Sequence, residues 1–201
     1  MYFHCPAKGT SSQYSFVATS ANGLKFTAQT KKLGVSYFRV FKYGGYYYAL
    51  GKRDPSGTFL YRSSSPYTGF VKGQTILPNS RHTAVYLNGT TAYIFYTRIG
   101  DAPERVLLST MDLSGAWTTW KPSDPVDVIR PEYNYEGANL PISTSKFGEI
   151  DSRANQLRDP GIYEEGGKIY LQYSIAGEQG IAAAELIPPS PLQTKALSKW
   201  R

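Results

Sequence analysis

Cysteine is almost absent from this chain, and its scarcity limits the available chemistry. Cys5 is the single cysteine among 201 residues, so an internal disulfide is excluded and the redox compartment stays open. No cluster of potential metal ligands surrounds it in the sequence. Phosphate-binding loops, dinucleotide fingerprints and nucleophile elbows are also missing, which argues against nucleotide-dependent enzymes and serine hydrolases.

Long apolar runs are missing as well. No segment could span a bilayer, and the N-terminus lacks the basic and apolar regions of a signal peptide. We therefore expect no membrane partner. The location stays open, with the cytoplasm favoured by the missing signal.

Clustered charge is scarce, although the formal net charge is +7. The basic residues are scattered singly, and only Lys31-Lys32 and Lys52-Arg53 are adjacent. No groove-reading helix, zinc module or recognisable single-strand platform accompanies the charge. The sequence therefore predicts no nucleic-acid partner.

Aromatic residues, in contrast, are abundant. The chain has 17 tyrosines and 14% aromatic residues, and it lacks a long stretch with helical periodicity. Aromatic side chains suit a pleated, half-buried surface. Composition and length together predict an all-β chain with one domain.

A repeated pattern organises the chain at residues 37–50, 81–96 and 158–174. Each copy has a polar start, a short strand, a glycine turn and an alternating second strand. The turn glycines Gly45 and Gly89 lie 44 positions apart. Sheets that recur at about 40–50 residues are typical of a β-propeller, in which each repeat forms one blade.

The rest of the chain fits a partial propeller. Outer strands are predicted at residues 58–63 and 105–110, and residues 117–157 form an ordered insertion across one face. The N-terminal segment matches only the second half of the repeat. We expect about three and a half blades over residues 1–187, a tail at 188–201, and self-association through open sheet edges such as that of Met1 to His4.

The blade pattern, with Arg158-Asp159-Pro160 at its last start and Tyr170-Leu171-Gln172-Tyr173-Ser174 closing the hairpin, carries a family resemblance. It resembles the five-bladed β-propeller glycoside hydrolases of the arabinanase, xylosidase, levansucrase and invertase superfamily. Tyr135-Glu136-Gly137-Ala138 is similar to the Glu-Gly-Pro motif that carries the general acid in the arabinanase and xylosidase branch, with alanine in place of proline. Residues 96–105 and 156–160 resemble an uncharacterised bacterial subgroup.

The resemblance implies hydrolysis of furanosidic or pyranosidic oligosaccharides or polysaccharides. Two carboxyl groups flank the bond in that reaction, one protonated and one ionised. Glu136 is the candidate acid, and its alternative is a surface glutamate in a loop. The family's base lies in a blade that would precede this chain, so the chain is N-terminally truncated in this interpretation. The alternative function is a catalytically inactive, carbohydrate-binding propeller.

The resemblance also suggests residues at the substrate. Asp159 is either a second catalytic carboxylate that holds sugar hydroxyls or a turn residue before Pro160. The candidate substrate-binding residues are Arg39, Arg81, His82, Arg158 and Tyr135.

Two of these assignments have alternatives. Arg158 could instead form a structural ion pair. His82 could hold sugar hydroxyls, hold a water on a channel ion, or bond between blades. Arg81 and Asp159 each lie eight positions before a turn glycine, so we expect them at corresponding places.

Carbohydrate is the expected partner, and no cofactor or protein-bound metal is predicted, although a channel ion such as calcium is compatible with the fold. One further group of charged residues is predicted to fix a turn through ion pairs: Arg98, Asp101, Glu104 and Arg105.

Overall fold

Antiparallel β-sheet accounts for nearly all the regular structure of this chain. The computed structural model describes residues 1–52 and 57–187, which contain fifteen strands and two three-residue 3-10 helices. The predicted all-β fold is confirmed. The predicted tail at 188–201 lies outside the described residues. No helix in the described ranges has the length and apolar character needed to cross a membrane.

Two compact units make up the chain, Met1–Pro78 and Asn79–Arg201. Each unit contains two antiparallel sheets of the kind that forms propeller blades. The prediction of one domain over residues 1–187 stays a prediction.

The first unit holds the first and second sheets. The N-terminal segment, predicted as half a blade, forms a four-stranded sheet in which two strands have only two residues each. The first strand is an edge of this sheet, and self-association through it stays a prediction. The strands are β1 (Tyr2–Pro6), β2 (Gln13–Thr19), β3 (Thr27–Ala28), β4 (Gly34–Val35), β5 (Arg39–Tyr43), β6 (Tyr46–Lys52), β7 (Thr58–Ser63) and β8 (Val71–Ile76).

The second unit holds the third and fourth sheets. Strand order follows the chain within both sheets, as in a blade that is laid down from its innermost strand outward. The strands are β9 (Ser80–Asn88), β10 (Thr91–Arg98), β11 (Val106–Asp112), β12 (Val126–Ile129), β13 (Arg158–Glu165), β14 (Lys168–Ile175) and β15 (Gly180–Leu186).

The insertion at residues 117–157 contributes more than a loop. Its strand β12 pairs with β11 and becomes the outermost strand of the third sheet, so the strand predicted as outermost at 105–110 lies one place further in. The 3-10 helices Trp117–Thr119 and Asn134–Glu136 also belong to this segment. The remainder of the insertion ends at Leu157, which is fully buried.

Alternation along β14 explains how the second unit forms its core. Ile169, Leu171 and Tyr173 are buried, while the residues between them are more exposed. Successive side chains of a strand leave opposite faces, so these three share one face. They pack in one cluster with residues of the third sheet: Ala84, Phe95, Val106 and Leu108. The first unit has its own cluster: Val17, Leu33, Phe38, Ala49 and Tyr61.

Gly51 lets two side chains of the first unit approach β6 closely. A Cβ at this position would lie 2.8 Å from Val35 Cγ2 and 2.9 Å from Phe38 Cε1. We expect Gly51→Ala to lower the free energy of unfolding by about 1–3 kcal/mol through overpacking. Gly161→Ala on β13 is the control, because its nearest contact would be an ordinary 3.8 Å from Gln172 Cβ. Urea denaturation measures both, and equal effects would contradict the packing argument.

Candidate functional site

The second unit brings together residues near the starts of β9 and β13. His82 Nδ1 lies 2.7 Å from Asp159 Oδ1, although 77 positions separate the two residues in the sequence. Both residues have a left-handed backbone, with φ of 51° and 49°. This conformation costs a non-glycine residue about 1–2 kcal/mol, and such residues concentrate at functional sites. The pair is therefore the candidate site.

His82 and Asp159 occupy equivalent positions in the repeat, since each lies six positions before the last residue of its strand. The predicted equivalence of Arg81 with Asp159 was wrong by one residue. The cause is the turn, because Gly89 is the first residue of its turn while Gly167 is the second of its own. The two arginines that precede the pair are equivalent to each other.

Asp159 is a partly exposed carboxylate. Its side chain is 34% exposed, and its Oδ2 accepts a hydrogen bond from Ser174 Oγ at 3.2 Å. Burial opposes ionisation, but the contacts with His82, Ser174 and Arg81 outweigh it and lower the pKa of Asp159 below its ordinary value of 3.8. The site therefore presents a fixed negative charge at neutral pH.

Glu104 is a buried counter-charge to both arginines, Arg81 and Arg158. Its side chain is fully buried, with Oε2 3.1 Å from Arg158 Nε and Oε1 3.7 Å from Arg81 Nε. Ser145 Oγ donates a hydrogen bond to Oε2. Arg81 and Arg158 are both bound to protein groups, and contacts of either with a substrate stay a prediction. The structural ion pair considered for Arg158 is therefore the arrangement found.

The same arginines bind the insertion to the starts of β9 and β13. Arg81 donates to the carbonyl oxygens of Lys146 at 2.8 Å and Gly148 at 3.0 Å. Arg158 donates to Gln156 Oε1 at 2.8 Å and forms an ion pair of 2.8 Å with the partly exposed Glu178. The network therefore fixes the backbone next to His82 and Asp159.

The predicted turn network is present without Glu104. Asp101 accepts from Arg98 at 3.1 Å and pairs with Arg105 at 3.0 Å. Arg105 also binds Asp127 on β12 at 2.8 Å. Glu104 leaves this group because its side chain turns inward to the two arginines.

Glu136 is buried, and both of its carboxylate oxygens accept hydrogen bonds. It is 1% exposed, and Oε2 accepts the backbone N–H groups of Glu132 at 2.8 Å and Tyr133 at 3.1 Å. Oε1 accepts a hydrogen bond from the Tyr173 hydroxyl at 2.9 Å. Burial raises the pKa of Tyr173 well above its usual range, and the carboxylate of Glu136 raises it further. A glutamate with these contacts closes the first turn of a helix.

Glu136 and Asp159 are held by consecutive residues of β14. Tyr173 binds Glu136 and Ser174 binds Asp159. Consecutive side chains leave opposite faces of a strand. The two carboxylates are therefore reached from different sides of the fourth sheet, and this arrangement does not present them as a facing pair.

Tyr135 and Arg39 are the remaining candidates. Tyr135 is 53% exposed and stacks on Tyr133 with ring centroids 5.5 Å apart. Arg39 belongs to the first unit, where it is half-buried at the start of β5. Substrate contacts of Tyr135 and Arg39 stay predictions.

Potential metal-ligating side chains are not clustered in the described residues. Within residues 1–52 and 57–187, no group of three or more His, Cys, Asp and Glu side chains could hold a metal. His82 is directed to Asp159 instead. A channel ion such as calcium stays a prediction.

Sequence reasoning missed the residues that support the pair. Ser174 was noted only as the end of a strand, and Tyr173, Gln156 and Glu178 had no assigned partner. Alternation along β14 could have placed Tyr173 and Ser174 on opposite faces. No local pattern marks Gln156 or Glu178 as partners of Arg158, because the contacts depend on the folded insertion.

Glu104 gives the sharpest test of the buried network. We expect Glu104→Gln to lower the free energy of unfolding by about 3–5 kcal/mol, because Arg158 stays buried without its carboxylate. Glu178→Gln removes a partner of the same arginine from a partly exposed place, and its expected cost is about 1 kcal/mol. Urea denaturation compares them, and equal losses would contradict the central role of Glu104.

A second test concerns Glu136 and its three hydrogen bonds. Glu136→Ala should lower the free energy of unfolding by about 3 kcal/mol, because it leaves the buried Tyr173 hydroxyl and two N–H groups without this acceptor. Glu132→Ala removes the same charge from an exposed side chain and should change stability by less than about 0.5 kcal/mol. If both variants unfold at the same urea concentration as the parent, the structural role is wrong.

Comparison with known proteins gives one sequence relative. No protein-family model matches the chain. An uncharacterised protein of Acanthamoeba polyphaga mimivirus is 38% identical over an alignment of 201 positions that covers 92% of this chain and 56% of that protein. The chain thus spans little more than half the length of this relative. The bacterial origin stays a prediction, and this relative is viral.

Solved structures resemble the whole chain. An endo-1,4-beta-xylanase from Bacteroides thetaiotaomicron matches with a TM-score of 0.66 and 16% identity, covering 100% of this chain and 67% of the enzyme. A thermostable family-43 glycoside hydrolase matches with a TM-score of 0.59 and 18% identity, covering 94% of this chain and 69% of the other. The chain therefore has the fold of the five-bladed β-propeller glycoside hydrolases, with its four sheets as blades and only part of their length.

Proposed function

We propose that this chain is the carbohydrate-binding part of a propeller related to the glycoside hydrolases, with Asp159 as its sugar-binding carboxylate. The observation that carries the proposal is the state of Asp159, which is ionised, partly exposed and held in place by His82 and Ser174. The fold shared with glycoside hydrolases supports carbohydrate as the ligand class. Fold alone does not specify function, so the site carries the argument.

The carboxylate of Asp159 has the chemistry that sugar hydroxyls require. An ionised carboxylate offers about four lone-pair sites, and the contacts with His82 and Ser174 engage one oxygen each. The remaining sites can accept two hydroxyl protons from a sugar. Hydrogen bonds to a charged acceptor are stronger than those between neutral groups.

His82 and Ser174 act as positioning residues in this proposal. His82 is almost fully buried, so its contact fixes Oδ1 from the protein side. Ser174 fixes Oδ2 from β14. A carboxylate whose rotation is already restricted loses less entropy on binding, and this preorganisation increases affinity.

Hydrolysis of furanosidic or pyranosidic chains by the whole protein is the second candidate. The fold favours it, and in this version Glu136 donates the proton and a base outside this chain completes the pair. The hydrogen bonds of Glu136 argue against it, since a proton donor must reach the glycosidic oxygen. If Glu136→Gln abolishes hydrolysis by the longer protein without loss of stability, catalysis replaces binding as the conclusion.

Asp159→Asn tests the binding proposal. The change keeps the shape of the side chain and removes its charge, so affinity for xylohexaose or arabinohexaose should fall about tenfold or more. Glu164→Gln is the matched control, because Glu164 is exposed on the same strand. Isothermal titration calorimetry measures both variants. Unchanged affinity in Asp159→Asn, or equal losses in both, would overturn the assignment.

The pH dependence supplies an independent readout. The pKa of Asp159 is lowered in the folded protein, so its contribution to stability is present above the ordinary value of 3.8 and is lost as pH falls through the lowered value. The difference in melting temperature between parent and Asp159→Asn should therefore shrink below pH 3.8. A difference that grows in acid would contradict the ionised state.

A further inference from the structure

Positive charge is concentrated in one of the two units. Met1–Pro78 contains ten Lys and Arg residues and one acidic residue, Asp54, which gives a formal charge of +9. Asn79–Arg201 contains 12 basic and 14 acidic residues, a formal charge of −2, and the two values together give the +7 of the chain. A separation of this size indicates that the first unit meets an anionic partner.

In the first unit, lysine side chains contact aromatic rings, where carboxylates would be the expected partners. Lys32 Nζ lies 4.0 Å from the Tyr14 ring centroid, and Lys72 Nζ lies 4.7 Å from that of Phe59. Apart from Asp54, which is outside the described residues, the sequence of this unit has no acidic residue that could neutralise them. A ring face attracts a cation without cancelling its charge. The lysines therefore stay available to an external anion.

A groove of about 450 Å³ lies in the first sheet, beside β1, β2 and β3. Its apolar lining includes Phe3 and Phe16, whose stacked rings have centroids 5.8 Å apart. Lys8 and Lys32, both exposed, also line it. This volume is within the range of small-ligand sites, which combine apolar walls with a few polar groups.

We propose that this groove binds an acidic sugar residue, in which a ring carboxylate pairs with Lys8 and Lys32. Aromatic side chains suit the apolar C–H face of a sugar, and Gln29 and Thr30 in the lining supply hydrogen-bonding groups for hydroxyls. The choice of a sugar rests on the proposed function, and the choice of an acidic one rests on the charge of the unit. Nucleic acid is less favoured, because the basic residues of the chain are scattered and only Lys31-Lys32 and Lys52-Arg53 are adjacent.

The test uses oligogalacturonate as the acidic probe and its methyl ester as a neutral probe with the same backbone. The parent protein should bind the acid and bind the ester about tenfold more weakly, since the ester lacks the charge that the lysines recognise. Raising the salt concentration should weaken binding of the acid more than binding of the ester.

Paired substitutions locate the site. Lys8→Gln with Lys32→Gln should weaken oligogalacturonate binding about tenfold, measured by titration calorimetry. Lys42→Gln with Lys72→Gln is the matched control, because it removes two exposed lysines of the same unit that do not line the groove. Melting curves establish that both double variants stay folded.

Three results would overturn the inference: equal losses in the two double variants, equal binding of acid and ester, or absence of oligogalacturonate binding. Single-stranded DNA that binds equally well and is lost with the same lysines would also overturn it in favour of a general polyanion surface. Failure here leaves the Asp159 proposal intact if neutral xylohexaose still binds and Asp159→Asn still weakens it. Loss of both kinds of binding in the parent would defeat both proposals.

Discussion

One buried carboxylate, Glu104, is the constraint on which the second unit depends. It compensates Arg81 and Arg158, two guanidinium groups that are almost completely removed from water. Desolvation of charges costs several kcal/mol per ion, so such a group is tolerated only with geometry that satisfies the partners. Here the arginines also satisfy carbonyl oxygens of the insertion, which would otherwise lie near the sheets without donors.

The network explains why strained backbone persists at the candidate site. His82 and Asp159 each follow one of the two arginines, and each adopts a left-handed conformation that a non-glycine residue normally avoids. Such conformations persist only where surrounding contacts determine them. The ion pairs with Glu104 hold Arg81 and Arg158, which directly precede the pair. The contact between His82 and Asp159 holds the pair itself. The buried ion pairs of Arg81 and Arg158 with Glu104 therefore help to determine the geometry of the site.

Local patterns predicted most strands and their turns, because a glycine turn and alternating side chains depend on neighbours in the sequence. The predicted strand at residues 58–63 coincides with β7. Strand β12 was missed, since four residues within a polar insertion carry little periodicity. The sequence singled out His82 and Asp159 but did not predict that they are equivalent and in contact. The two repeats were aligned on their turn glycines, and these glycines occupy different positions in the two turns. Glu136 shows the limit of a motif, since burial and partners come from the tertiary fold.

The separation of 77 positions between His82 and Asp159 has a consequence for folding. Neither the third nor the fourth sheet contains the site by itself, so the site is created only when the two sheets pack together. Closing so long a segment is entropically costly, and folds rich in distant contacts form slowly. A ligand held by Asp159 would bind the packed state alone and so stabilise it by mass action. Occupancy of the site and cohesion of the unit are thus linked quantities.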